Sequence, residues 1–312
     1  MTSPLDRRTR VHIAGHRGLV GSALVRHFAH EGFTNLLLRT STELDLRNRE
    51  AVRAWYAAER PEAVVIAAAR VGGIAANAAR PVDFLSDNLR IQLNVLDAAH
   101  EHGSRRVLFL GSSCIYPKHA PQPIAESALL SGPLEPSNDA YAIAKIAGIK
   151  HVQALRRQYG LPYIAAMPAN LYGPNDNIDP NTSHVLPAML RRTHEAHVQG
   201  AEELTHWGTG RPRREFLHAD DLARACLFLL EHYDGDQPIN VGTGLDVPLS
   251  ELAAVVAEVV GYRGRIGWDA TKPDGTPRKV LDTRRIKELG WEARISLWDG
   301  VAETYKWLTT RL

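Results

Sequence analysis

Residues 111–118, GSSCIYPK, set two serines and a cysteine directly after the apolar run Val107–Leu110. Small polar groups at the end of a buried strand can touch a ligand that lies across the strand ends. Further along, YAIAK puts Tyr141 and Lys145 four residues apart, on one face of a helix. A phenol of ordinary pKa, about 10, is a poor acid–base group. A lysine ammonium beside it favours the phenolate and brings it nearer working pH. Near the start, GHRGLVG spaces Gly15, Gly18 and Gly21 between an apolar run and a helical pattern. Such glycines let the backbone turn tightly and approach a pyrophosphate, which rests on the helix N-terminus. A nucleotide loop, a Tyr–Lys pair and a serine at a strand end together point to dinucleotide-dependent chemistry on a hydroxyl or ketone.

These residues need a scaffold, and the chain alternates short apolar runs with helical periodicity. VHIAG (11–15), NLLLR (35–39), AVVIAAA (63–69), RVLFLG (106–111) and PYIAAMPAN read as strands. LVGSALVRHFAHEG, NREAVRAWYAAER, VDFLSDNLRIQLNVLDAAHEHG and DAYAIAKIAGIKHVQALRRQYG read as the helices between them. This alternation predicts an α/β fold, a Rossmann-like doubly wound parallel sheet with ligands at the C-terminal strand ends. After about Tyr172 the pattern changes to a polar loop, GPNDNIDPNTSH, and a helix over about 185–198. REFLHADDLARACLFLLEH and PINVG then read as a return to the first domain. The expected division is interleaved. Residues 10–172 and about 213–244 form the dinucleotide domain, and about 173–212 and 245–312 form a smaller substrate lobe.

Composition narrows the class. With 312 residues, 44% hydrophobic and 23% charged, the chain suits a soluble protein with a sizeable core. A net charge of +2 gives no reason to expect nucleic acid or a membrane as partner. Two cysteines, Cys114 and Cys226, build no disulfide framework, which fits a reducing, cytoplasmic setting. Cys226 lies in an apolar helix and reads as core. With no CxxC or HExxH pattern, no metal is assigned. An NAD enzyme carries an acid at the end of the second strand. Arg39 stands there instead, and Arg17 lies inside the glycine loop. Two guanidinium groups favour a 2′-phosphate, so NADP is the expected cofactor.

At these residues the chain resembles the extended short-chain dehydrogenase/reductase superfamily. AGHRGLVGSA, AAARVGGI, GSSCIYPK, EPSNDAYAIAKIAGIK, NLYGPNDN, SHVLPA, REFLH and KPDGTPRK are similar to one branch of it. That branch epimerises C3 and C5, then reduces C4, of GDP-4-keto-6-deoxy-D-mannose with NADPH. The match runs over most of residues 11 to 308. It implies that Cys114 removes the C3 and C5 protons and that His184, in NTSHVLPA, supplies a proton on the opposite face. It implies that Ser112 bonds the C4 oxygen, with Ser113 the competing candidate, and that Tyr141 donates the proton at C4 with Lys145 beside it. Gly15, His16, Arg17, Gly18, Leu19, Val20, Gly21, Arg39, Leu110, Ser112, Tyr141, Lys145, Pro168, Asn170, Leu171 and His184 match its cofactor positions. Arg192, Trp207, Arg214 and Asp274 match those that hold the nucleotide sugar.

Two rival readings remain at this point. A simpler enzyme of the superfamily, such as an NAD-dependent 4-epimerase or a plain 4-reductase, has no use for Cys114 and His184 in these roles. A dinucleotide sensor has no use for the Ser112, Tyr141 and Lys145 set. The helices at about 83–101 and 139–158 carry apolar residues on more than one face, Leu89, Leu93 and Leu96 on one and Ile143, Ile146 and Ile149 on the other. A homodimer is therefore expected.

Overall fold

The runs Val11–Ala14 (β1), Ala63–Ile66 (β3), Arg106–Leu110 (β4) and Tyr163–Pro168 (β5) are buried along their whole length. Largely apolar strands buried along their whole length belong to a parallel sheet covered on both faces. In the computed structural model, which describes residues 4–179, 182–272 and 274–312, they join Leu36–Leu37 (β2) and Ile239–Val241 (β10) in one sheet. Its order is β2-β1-β3-β4-β5-β10 and every neighbouring pair is parallel. The switch in strand order falls at β1 and β3, the position at which such sheets open a crevice. Pro180 and Asn181 of the polar loop, and Pro273 of KPDGTPRK, lie outside the described residues.

Helices cover the sheet. Arg49–Glu59 (α2), Pro81–Glu101 (α4) and Asp139–Tyr159 (α5) pack in sequence against one another, while Leu19–His30 (α1) packs on Ala219–His232 (α7). A short helix, Ile74–Ala79 (α3), precedes α4. Asn48 accepts from the Ala51 N–H at the start of α2, and Gly160 closes α5 in the left-handed conformation. NLLLR shortens to the two residues of β2, which sit at the sheet edge.

A second apolar cluster is built around Val185–Val198 (α6), Leu249–Val260 (α8) and Leu297–Thr309 (α10). It includes Leu186, Leu190, Leu252, Val256 and Val301. Three small sheets border it. Asn170–Tyr172 (β6) pairs with Phe216–His218 (β9), and Glu203–Trp207 (β7) with Arg265–Asp269 (β12). Arg213–Arg214 (β8) lies between Val247–Pro248 (β11) and Arg278–Lys279 (β13). Leu281, Ile286 of Arg284–Glu288 (α9) and Trp291 pack on the first core. Among the described residues no helix is long and apolar enough to cross a membrane.

Candidate active site

Strand β4 delivers the GSSC segment to a tight 3₁₀ turn over Ser113–Ile115. Ser112 is extended and caps that turn, its Oγ accepting from the Cys114 N–H at 3.1 Å. Ser113 is buried beneath it, so Ser112 is the serine that faces Cys114 and Tyr141. The Lys279 Nζ reaches the Cys114 Sγ at 3.1 Å. Lys279 is carried by β13, whose register places it opposite Arg214 on β8. Burial alone would raise the Cys114 thiol. The Lys279 ammonium, its hydrogen bond, Ser112 and Arg214 outweigh burial and hold the thiol below its ordinary value. Cys226 has no such neighbours, and burial pushes its thiol far up. It is fully buried in α7, as expected of a core residue.

Tyr141 stands in the first turn of α5 and Lys145 one turn on. The Lys145 Nζ donates to the Leu110 carbonyl at 2.8 Å and lies 4.9 Å from the centre of the Phe109 ring. Its distance to the Tyr141 ring centre is 6.0 Å. Burial brings the Lys145 ammonium down to about 8. The Tyr141 phenol is raised, by burial first and by facing Cys114, with Ser112 acting in the opposite direction. This differs from the lowering that the four-residue spacing predicts. The ammonium is turned onto the Leu110 carbonyl at the end of β4, and Cys114 is the charged neighbour that acts on the phenol.

The glycine loop has the shape a dinucleotide needs. Gly15 has φ of +85°, and a Cβ on Gly21 would come within 2.0 Å of the Gly15 carbonyl oxygen. Gly18 caps α1 without a side-chain bond, so the backbone donors of its first turn, at Leu19 and Val20, are not used by a cap. The His16 Nδ1 is buried with no partner in the structure. Arg17 is exposed. Arg39 donates to Glu59 at 2.9 Å and lies 5.6 Å from the centre of the Trp55 ring. Leu110 and Pro168 end β4 and β5 on the same side of the sheet. Asn170 and Leu171 follow in β6, where the Asn170 amide donates to the Glu215 carbonyl at 2.8 Å.

The remaining residues come from the second cluster. His184 caps α6. Its side chain is accessible, yet surrounding protein and the Lys279 charge hold its imidazole below the usual range. Arg214 lies near both Cys114 and Asp274, although burial is the larger influence and lowers its guanidinium. Asp274 accepts from the Thr209 N–H at 2.8 Å and the Thr209 hydroxyl at 2.7 Å, which keep its carboxyl low. Arg192 donates to the Thr205 carbonyl at 2.6 Å. Trp207 ends β7 at 70% exposure with the Lys272 ammonium 5.9 Å from its ring, so it is a surface aromatic and not core. Among the described residues no hydrogen bond, ion pair or ring contact joins Arg192 or Trp207 to Cys114, Tyr141 or Lys145. Sequence reasoning had no role for Lys279, the cation that touches the thiol. Its only signal was its place in KPDGTPRK.

Comparison with known proteins follows the same lines. The family model for the NAD dependent epimerase/dehydratase family matches residues 11–242. GDP-L-fucose synthase 1 of Arabidopsis thaliana is 57% identical, over 98% of this chain and 95% of its own length. GDP-L-fucose synthase of Escherichia coli strain K12 is 53% identical, over 96% of both chains. A solved GDP-mannoheptose C4 reductase from Campylobacter jejuni, with NADP bound, superposes with a TM-score of 0.92 at 35% identity. That superposition covers 98% of this chain and 99% of the reductase.

Proposed function

The chain belongs to the GDP-L-fucose synthases of the NAD dependent epimerase/dehydratase family, and on that premise we propose that it converts GDP-4-keto-6-deoxy-D-mannose to GDP-L-fucose with NADPH. Epimerisation at C3 and C5 precedes reduction at C4. The observation that carries this reading is the Lys279 ammonium 3.1 Å from the Cys114 sulfur, beside Ser112 and Tyr141. A C4 reductase alone has no need of a thiol seated against an ammonium.

In this reading Cys114 takes the proton at C3 and then at C5, each acidified by the C4 ketone. Ser112 and Tyr141 donate hydrogen bonds to the oxygen on which the enolate charge develops. His184 returns a proton to the opposite face, so each centre inverts. When bound, the dinucleotide supplies the hydride that reduces C4. Tyr141 gives its proton to the resulting alkoxide, which is the stronger base. The glycine loop and the first turn of α1 hold the pyrophosphate, and Arg17 and Arg39 hold the 2′-phosphate. Arg192, Trp207, Arg214 and Asp274 hold the GDP-sugar, with arginines suited to its diphosphate.

The assembly in this reading is a homodimer, supported by Leu93 and Ile143, which stay 43% and 48% exposed on the packed pair α4 and α5. The location is cytoplasmic, since Cys114 acts only as a free thiolate. The test supplies GDP-4-keto-6-deoxymannose and NADPH in D₂O. The expected product carries solvent deuterium at C3 and C5 and is reduced at C4. A reduced product with no deuterium at either carbon would leave only a 4-reductase.

A further inference from the structure

Glu215 follows Arg214 in REFLH and is 1% exposed. Among the described residues no cationic side chain pairs with it. Its carboxylate is met by donors instead. One oxygen, Oε2, accepts from the Leu281 N–H at 2.8 Å. The other, Oε1, accepts from the Gly244 N–H at 2.7 Å and the Thr243 hydroxyl at 3.3 Å. The Glu215 N–H donates to the Lys279 carbonyl at 3.2 Å. One residue therefore grips the chain on both sides of Val280, at Lys279 through its backbone and at Leu281 through its side chain. Val280 itself donates to the Gln122 Oε1 at 2.9 Å.

This grip sits where regular pairing is weakest. Strand β13 has only two residues, Arg278 and Lys279, and pairs with a strand equally short. Lys279 has a long flexible side chain whose ordering is costly. Its ammonium holds 3.1 Å from the Cys114 sulfur only while its own backbone is fixed. A buried carboxylate with no cation partner costs desolvation, and burial accordingly raises the Glu215 acid. Converging donors from Leu281, Gly244 and Thr243, with no acceptor among them, call for a carboxylate at this place. A glutamine would turn an NH₂ toward an N–H and leave one donor unmet.

We propose that Glu215 is a positioning residue for Cys114: its carboxylate pins the short strand that carries Lys279, so that the ammonium stays seated on the sulfur. This deepens the function proposed above and rests on Cys114 being the base. The groups that face the thiol are Lys279, Arg214, Ser112 and Tyr141, and of these Lys279 makes the direct contact.

The test is the pH dependence of Cys114 alkylation by iodoacetamide in the full chain, located by peptide mass. Cys226 is fully buried and stays silent. Wild type, Glu215→Gln, Lys279→Met and the double variant are compared, with melting temperature and NADPH affinity measured beside them. Glu215→Gln and Lys279→Met should both move the alkylation midpoint to higher pH. Labelling below the midpoint should slow about tenfold for each unit of that shift. The double variant should shift no further than Lys279→Met, because both act through one ammonium, and NADPH affinity should stay as in the wild type. If Glu215→Gln melts earlier but labels with the wild-type midpoint, Glu215 only holds the fold and the proposal is overturned. An additive double variant overturns it as well. Should Glu215→Gln not fold, Gln122→Ala loosens the same strand at Val280, and a wild-type midpoint there counts equally against it. The readout uses no sugar substrate, so it stands apart from whether GDP-4-keto-6-deoxymannose is turned over.

Discussion

Cys114 and Tyr141 share one corner but carry opposite electrostatic settings, and in the function proposed above this difference would separate two half-reactions. A base must be deprotonated, so C3 and C5 exchange persists above the folded pKa of Cys114 and is lost as pH falls through it. Lys279 helps hold that value below the ordinary thiol range, so the loss of exchange should come at lower pH than an ordinary thiol would give. Lys279→Met should move the loss of exchange to higher pH, read as deuterium incorporation against pH. Cys114→Ser should abolish exchange at neutral pH while NADPH still binds; incorporation at the wild-type rate would reduce Cys114 to a packing residue. Tyr141→Phe keeps the thiol and removes the acid at C4, so NADPH oxidation should fall about 10²–10⁴-fold, while deuterium entry, still supported by Ser112 as enolate donor, should fall less. Ser112, Cys114, Tyr141 and Lys145 were all legible in the sequence because each lies in a short local motif. Lys279 was not, since its partner is 165 residues away and only the pairing of β8 with β13 brings it to the sulfur. The Tyr141 setting was misjudged for a related reason. Spacing tells which face a lysine is on, but not that a carbonyl at the end of β4 will take its ammonium.

The helices and strands depend on a few residues whose work is to meet backbone groups. In the glycine loop, Gly21→Ala would drive a methyl group to 2.0 Å from the Gly15 oxygen, with backbone and not a flexible side chain in the way. Dinucleotide affinity should fall at least tenfold, measured by fluorescence titration, and a wild-type affinity would show that the turn can open without cost. Arg106 does similar work at the far end of β4. Its guanidinium donates to the carbonyls of Leu229 and Leu230 in the last turn of α7, to Tyr233 beyond it, and to Pro162. The Leu230 and Tyr233 carbonyls lie at the helix end, where intrahelical donors run out, and Leu229 also accepts from the Tyr233 N–H at 3.0 Å. Burial lowers Arg106 to about 10, so it stays charged at neutral pH. Arg106→Leu should destabilise the protein by on the order of 3 kcal/mol, because buried acceptors lose their donor, and urea unfolding measures it. In the sequence Arg106 reads as the polar flank of an apolar run. Nothing nearby announces that α7, more than a hundred residues later, will end against it.

At the scale of the molecule, the strand–helix alternation was enough to predict a doubly wound parallel sheet, because apolar runs and helical periodicity are local signals. The small sheets of β6 to β9 and β11 to β13 left little trace, being two to five residues long and half polar. Which surfaces would meet a second copy in the proposed dimer is also a property of the whole. Helices α4 and α5 pack closely, and the Gln92 side chain crosses between them to the Ala144 carbonyl at 2.7 Å. Leu93 and Ile143, each next in sequence to that bonded pair, remain exposed at 43% and 48%. Leu96 and Ile149, deeper on the same helices, are fully buried in the chain's own core. The apolar residues thus divide into a set that packs on the sheet and a set left for another surface, as a two-fold helical interface requires. Leu93→Glu with Ile143→Glu should give a folded monomer, with wild-type melting at high protein concentration lost only in part. Light scattering at micromolar protein checks both forms. The wild type should have twice the mass of one chain, and a wild-type monomer would refute the dimer and leave the two side chains as ordinary surface residues.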